Sequence, residues 1–202
     1  METENKISKV YKVYLDSSII SNPLKVKNFP KEEMEALRIL AKNSQFAKRS
    51  HIIKFYTSEK TKREIEQHKD DNMRNYLLFI YDLIERILEE NIIKFIPAMF
   101  DMVMFDEATF DGSASREDSL FTNLKRIFDK DDAEHIFQAE KSKLDYFLNL
   151  DRTTILDRAQ EREEELKSLI KICIISPKGL VEKLQLKWIC EENISKKPLK
   201  TR

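Results

Sequence analysis

The stretch Val10-Tyr11-Lys12-Val13-Tyr14-Leu15-Asp16-Ser17-Ser18 joins a short apolar run to an acidic residue. We interpret residues 10–15 as a buried strand, because the run has the length and the apolar content that are typical of one. A second run, Tyr146-Phe147-Leu148, is followed in the same way by Asn149-Leu150-Asp151. If both strands belong to one parallel sheet, their carboxyl ends lie at the same edge, and Asp16 and Asp151 lie there too.

Short strand-like runs alternate with helical patterns along the whole chain, which is typical of a parallel sheet covered by helices. The strand candidates are 10–15, 52–56, 92–96, 146–148 and 172–175. The helical rhythm is clearest over 70–90, where apolar residues recur on one face. Further helices are predicted over 156–171 and from Ser176-Pro177 to Trp188.

These elements predict an α/β fold in one domain over 1–188. Two parts of the chain fall outside the regular alternation. Residues 97–119 form an enlarged connecting segment, and a loop of this length in a compact domain is usually functional. Residues 189–202 form a basic C-terminal tail.

The charge balance limits what composition says about partners. The 202 residues include 36 basic and 36 acidic side chains, so the formal net charge is zero. Nucleic-acid binders often carry a basic excess, and here only local basic clusters remain as candidates. The two glycines, Gly112 and Gly179, exclude a Gly-rich phosphate loop. The polar N-terminus, the lack of an apolar run of ~20 residues and the two cysteines favour a cytoplasmic protein with reduced thiols and no membrane contact.

Four acidic residues from distant parts of the chain are the candidate site: Asp16, Glu64, Asp132 and Asp151. Carboxylates gathered at the carboxyl ends of strands are what a hard divalent cation such as Mg²⁺ needs. Structural alternatives stay open for three of them. Glu64 lies in a charged helical stretch, Asp132 is at a helix start where a cap is common, and Asp151 is placed to cap the following turn.

The chain resembles the PIN-domain family of nucleases, which includes the VapC-type toxins. The resemblance covers about residues 11–184. The motifs that carry it are Val13-Tyr14-Leu15-Asp16-Ser17-Ser18, Asp132-Ala133-Glu134-His135-Ile136, Phe147-Leu148-Asn149-Leu150-Asp151 and Ile174-Ile175-Ser176-Pro177. It implies a three-layer α/β/α sandwich on a parallel sheet with strand order 3-2-1-4-5. That order makes the gap between the first and fourth strands a topological switch point.

The resemblance also implies an activity, the Mg²⁺- or Mn²⁺-dependent hydrolysis of phosphodiester bonds, mostly in RNA. Asp16 and Asp132 would be the main ligands of the metal. Glu64 and Asp151 would contact the metal directly or through water, with Ser17, Asp131 and Asn149 as supporting groups around them. His135 is expected to be packed or hydrogen-bonded rather than catalytic, and His51 and His68 belong to no zinc-like cluster.

The expected partners are an RNA substrate, an antitoxin protein and a second copy of the chain in a homodimer. The basic residues expected to contact nucleic acid are Lys60, Lys62 and Arg63, with Lys25 and Lys27 as further candidates. Solubility is an equally good explanation of these charges, because the chain is neutral overall. Two other functions stay open: a catalytically idle PIN-like scaffold and a nuclease that acts on DNA, since the groove contacts that choose the substrate are not visible in one sequence.

Overall fold

A parallel sheet lies at the centre of the chain. The computed structural model describes residues 9–25, 29–45, 51–88, 92–93 and 116–187. The strands in this part of the chain are β1 Lys9–Leu15, β2 His51–Ser58, β3 Ile92–Ile93, β4 Tyr146–Leu148 and β5 Cys173–Ile175. They pair in parallel in the order β3-β2-β1-β4-β5. The predicted α/β class with a parallel sheet is confirmed.

Helices connect the strands and pack on the sheet. The described helices are α1 Ser17–Lys25, α2 Lys31–Gln45, α3 Glu59–Glu66, α4 Asp71–Leu88, α5 Arg116–Ile127, α6 Lys130–Lys141, α7 Asp157–Glu161, α8 Glu163–Leu169 and α9 Pro177–Lys183, with a π-helical turn at Arg152–Leu156. No described helix combines the length and the apolar character that crossing a bilayer requires.

Neighbouring side chains of β1 point into two different cores, because successive side chains of a strand lie on opposite faces. Tyr14 stacks on Phe147 in a core that α5, α6 and α8 complete. Val13 and Leu15 lie in the other core, which α2 and α9 complete through Leu40, Leu180 and their neighbours. Helices therefore cover both faces of the sheet, an arrangement compatible with a three-layer sandwich.

A smaller apolar cluster holds α3 in place beside the end of β2. Its buried members are Ile20 of α1, Ile65 of α3, and Leu77 and Tyr81 of α4. Leu77 and Tyr81 are four residues apart, so they lie on the same face of α4. The Tyr81 hydroxyl also donates to the backbone oxygen of Ser58 at 3.3 Å. This packing orients the face of α3 that carries Glu64.

The C-terminal part departs from the prediction in two places. The single helix expected over 156–171 is divided, because Arg162 leaves helical geometry at φ −111° and ψ 25°. The last helix ends at Lys183 and does not reach Trp188. Gln185 has a left-handed backbone conformation with φ 52°, and its N–H donates to the Glu182 oxygen at 3.1 Å. Glycine usually occupies such a position after a helix, and because there is none here, the sequence does not predict this ending.

Some predictions fall on residues outside the described part of the chain. They concern residues 94–96 of the third strand candidate, residues 97–115 of the connecting segment, the tail at 189–202, and Lys27. Residues 116–119 of the connecting segment belong to α5. Lys25 ends α1.

Candidate active site

Asp16 lies directly after β1 at the carboxyl edge of the sheet, and 4% of its surface is exposed. Its backbone N–H donates to the Leu148 oxygen at 3.2 Å, so the pairing of β1 with β4 extends to this residue. Oδ2 accepts hydrogen bonds from the Ser18 N–H at 2.9 Å and from Asn149 Nδ2 at 2.8 Å. These donors fix the carboxylate of Asp16 at the carboxyl ends of β1 and β4.

Asn149 connects Asp16 to the segment after β4. It is fully buried, and its Oδ1 accepts a hydrogen bond from the Asp151 N–H while its Nδ2 holds Asp16. The hydroxyl of Ser18 accepts from the Leu150 N–H at 3.1 Å. The supporting role expected of Asn149 therefore has a geometric basis, since one side chain orients a carboxylate and the backbone that precedes Asp151.

Glu64 of α3 reaches the same edge and is held by His135 of α6. His135 Nε2 lies 2.7 Å from Glu64 Oε1 and 3.9 Å from Asp16 Oδ1. The Ser17 side chain also hydrogen-bonds Glu64. On its other side, His135 Nδ1 is hydrogen-bonded to the Tyr14 hydroxyl at 2.7 Å. His135 is thus hydrogen-bonded, as expected, and its ring lies between Tyr14 and two of the candidate acids.

The charges around Glu64 and His135 favour their ionised forms. Burial opposes the ionised form of Glu64, but the hydrogen bond from His135 and the charges of His135 and Lys60 outweigh it and lower its pKa to about 2. Burial also opposes the charged form of His135. The hydrogen bond to Glu64 and the negative charges of Asp16 and Glu64 nevertheless raise the pKa of His135 above its ordinary value.

Lys60 does not have the position that we predicted for a residue in contact with nucleic acid. Lys60 is only 7% exposed to solvent. Its Nζ lies 2.9 Å from a carboxylate oxygen of Glu134, 3.0 Å from one of Asp131 and 3.2 Å from one of Glu64. Burial alone would lower the pKa of Lys60, but the hydrogen bonds to Glu134 and Asp131 raise it. The ammonium is engaged with carboxylates, which argues against contact with a phosphate.

Asp132 lies in the first turn of α6 and is partly buried. Burial raises its pKa, the hydrogen bond with the Thr154 side chain opposes this, and the negative charge of Asp16 adds to it, with a result of about 6. Asp132 and Asp16 are thus close enough to influence each other, as the prediction of a shared metal requires.

Asp151 and Asp131 have different structural roles. Asp151 caps the π-helical turn: its Oδ1 accepts from the Thr154 N–H at 3.0 Å and from the Thr153 hydroxyl at 3.1 Å. This is the alternative role that the sequence left open for it. Asp131 is not the N-cap of α6, because Asp129 occupies that position. The side chain of Asp131 is 78% exposed and pairs with Lys60.

Two basic side chains of α3 lie outside the acidic cluster. The ammonium of Lys62 is 5.7 Å from the centre of the Tyr81 ring, and Arg63 is exposed, with an ion pair of 4.0 Å to Glu59. Nucleic-acid contact by Lys62 and Arg63 stays a prediction.

The acidic residues fit a hydrated ion held by few carboxylates better than a closed cage. Within the described ranges, no three His, Cys, Asp or Glu side chains form a group with metal-binding geometry. Mg²⁺ usually keeps several waters and takes one or two carboxylates together with substrate phosphates. Asp16 suits that mode, because the hydrogen bonds from Ser18 and Asn149 both fall on Oδ2, while Oδ1 faces His135 Nε2 at 3.9 Å.

We expect Asp132→Asn to stabilise the metal-free protein above about pH 6. A carboxyl whose folded pKa is raised binds protons that the unfolded chain has released, so the wild type loses stability as pH rises from about 4 to 6. The asparagine variant lacks this loss. After allowance for the partial exposure of Asp132, the gain is about 1 kcal/mol, measured by urea unfolding in EDTA.

Asp131→Asn is the matched control, since it makes the same change one residue away in a mostly exposed side chain. It is expected to show no gain above pH 6. Equal pH dependence in the two variants would contradict the environment described for Asp132.

Several residues of the site were missed by the sequence analysis. Tyr14 shares a hydrogen bond of 2.6 Å with Ser58 and contacts His135, and Glu134 pairs with Lys60. Two signals were present in the sequence: Tyr14 is two residues before Asp16 at the end of a strand, and Lys60 is four residues before Glu64 on a helix. Neither signal shows which partner from a distant segment completes the contact.

Comparison of the chain with models of protein families, with curated proteins and with solved structures finds no match.

Proposed function

We propose that this chain is a metal-dependent endoribonuclease that hydrolyses phosphodiester bonds with Mg²⁺ or Mn²⁺. The observation that carries the proposal is the buried carboxylate of Asp16, oriented by Asn149 at the carboxyl ends of β1 and β4, with His135 between it and Glu64. Open α/β sheets bind their ligands outside the carboxyl ends of their strands, where the strand order reverses. The strand order β3-β2-β1-β4-β5 also agrees with the PIN-domain resemblance.

Asp16 and Asp132 would hold the ion directly, and Glu64 and Asp151 would act through water. Bound Mg²⁺ or Mn²⁺ lowers the pKa of a coordinated water and stabilises negative charge on the phosphate and on the leaving oxygen. Glu64 has contacts to His135 and Lys60 already, and Asp151 caps a turn, which supports indirect roles for both.

The residues around the acidic side chains hold the carboxylates in position before substrate binds. Asn149 and Ser18 hold Asp16, and Ser17 and His135 hold Glu64, so the carboxylates need little rearrangement when substrate binds. The hydrogen bond and the charge of His135, together with the charge of Lys60, overcome the effect of burial and keep Glu64 ionised near neutral pH.

RNA as the substrate follows from the resemblance, and Lys62 and Arg63 are the basic residues that remain candidates for phosphate contact. A cytoplasmic location, an antitoxin partner and a homodimer belong to the same proposal.

If Lys62 contacts RNA, Lys62→Ala should flatten the dependence of log affinity on log salt by roughly one unit.

The test is incubation of the purified chain with end-labelled RNA and DNA of one sequence in Mg²⁺, Mn²⁺ or EDTA, with Asp16→Asn prepared in parallel as the control for contaminating nucleases. We expect internal cleavage of RNA that needs Mg²⁺ or Mn²⁺ and is absent in EDTA and in the variant. Cleavage of DNA in preference to RNA would make the chain a DNA nuclease. Binding without cleavage under every condition would favour a scaffold and overturn the enzyme assignment.

A further inference from the structure

The ammonium of Lys60 is surrounded by carboxylates from two helices. Glu64 lies on the same helix, one turn away, and Asp131 and Glu134 come from α6. The distances from Nζ to the three carboxylate oxygens are 3.2, 3.0 and 2.9 Å. Lys60 and Glu134 are largely shielded from solvent, so water does little to screen this charge cluster.

A cation at this position stabilises the carboxylates around it, above all the largely buried Glu134. Carboxylates that share a poorly solvated site repel one another, and each is costly to bury without a compensating charge. Lys60 supplies that charge from within the chain. A divalent ion at the same point would have to displace the ammonium or stay beside a like charge.

The other half of the acidic cluster is arranged differently. Asp16 lies beyond His135, whose Nε2 is 2.7 Å from Glu64 and 3.9 Å from Asp16. The donors to Asp16 Oδ2 are a backbone N–H and the neutral amide of Asn149, and the ring of His135 lies 3.9 Å from Oδ1. His135 therefore lies between Glu64, which Lys60 contacts, and Asp16.

We infer that the Lys60 ammonium takes the place of a second divalent cation, so that this chain binds a single metal ion on the side of Asp16 and Asp132. The inference rests on the proposed metal-dependent function and makes it more specific. Lys60 is then a positioning residue that holds Glu64 at the edge of the site, without contact to the substrate.

The test counts Mn²⁺ ions per chain by calorimetry and by electron paramagnetic resonance on metal-free protein. We expect one ion for the wild type and two for Lys60→Met, because the variant leaves Glu64, Asp131 and Glu134 without their cation. Lys62→Met, the same change on the same helix, should leave the count at one. Adding Glu134→Gln to Lys60→Met should weaken or remove the second ion.

The outcomes separate this inference from the proposed function. One ion in both the wild type and Lys60→Met overturns the inference alone, and so do two ions in the wild type. No Mn²⁺ bound by the wild type overturns the proposed function and the inference with it. If Lys60→Met does not fold, Lys60→Gln takes its place with the same expected count. Failure of both variants to fold, even with Mn²⁺, shows that a metal cannot replace the ammonium and overturns the inference.

Discussion

Asp16→Asn is expected to lower RNA cleavage by about a thousandfold while the chain stays folded. The asparagine oxygen can still accept from Ser18 and Asn149 at the position of Oδ2. Its amide nitrogen then replaces Oδ1, the oxygen free to hold a cation, and the negative charge is lost. The variant should therefore keep the architecture of the site and lose metal affinity. Mn²⁺ should raise the melting temperature of the wild type by several degrees and that of Asp16→Asn much less.

The matched control is Asp145→Asn. Asp145 precedes β4, at the opposite end of the strand from Asn149, and its carboxylate accepts from the Lys12 N–H at 2.7 Å. This variant should cleave RNA at the wild-type rate and show the full Mn²⁺ shift. A Mn²⁺ shift of the same size in Asp16→Asn as in the wild type would show that Asp16 is not a ligand.

Phe147→Ala is expected to reduce the free energy of unfolding by about 4 kcal/mol, which is a large part of the stability of a domain. The Phe147 side chain is 0% exposed, and its ring stacks on Tyr14 with centroids 5.2 Å apart. The substitution removes this contact and leaves a cavity between the sheet and α6. Because Tyr14 also holds His135, the loss of packing should loosen Glu64 as well. Urea unfolding at neutral pH measures the change.

Phe79→Ala provides the comparison, since it makes the same truncation on α4 where the side chain is 57% exposed. Its expected cost is within about 0.5 kcal/mol. Similar losses in the two variants would contradict the assignment of Phe147 to the central core.

The sequence was sufficient for the features that depend on local pattern. The apolar runs at β1 and β4 predicted two strands, and the position of Asp16 directly after β1 predicted its place at the carboxyl edge of the sheet. Local pattern works here because Val13-Tyr14-Leu15 at the end of β1 and all three residues of β4 are buried and apolar, as expected of central strands that are covered on both faces. The segment 156–171 is largely helical, as predicted, but the sequence did not show that the helix is divided at Arg162.

The sequence alone did not show which charged groups contact each other. Lys60 and Asp131 are 71 positions apart, and Tyr14 and His135 are 121 positions apart. Their contacts depend on how α3 and α6 dock at the edge of the sheet, and that docking is decided by apolar packing around Ile65 and Ile136. Lys60, whose charged neighbours in the sequence are typical of a solvated helix surface, is therefore a buried cation. The acidic residues of the candidate site could be named from the order of residues, whereas the partner of each charge follows from the packing of helices that are distant in sequence.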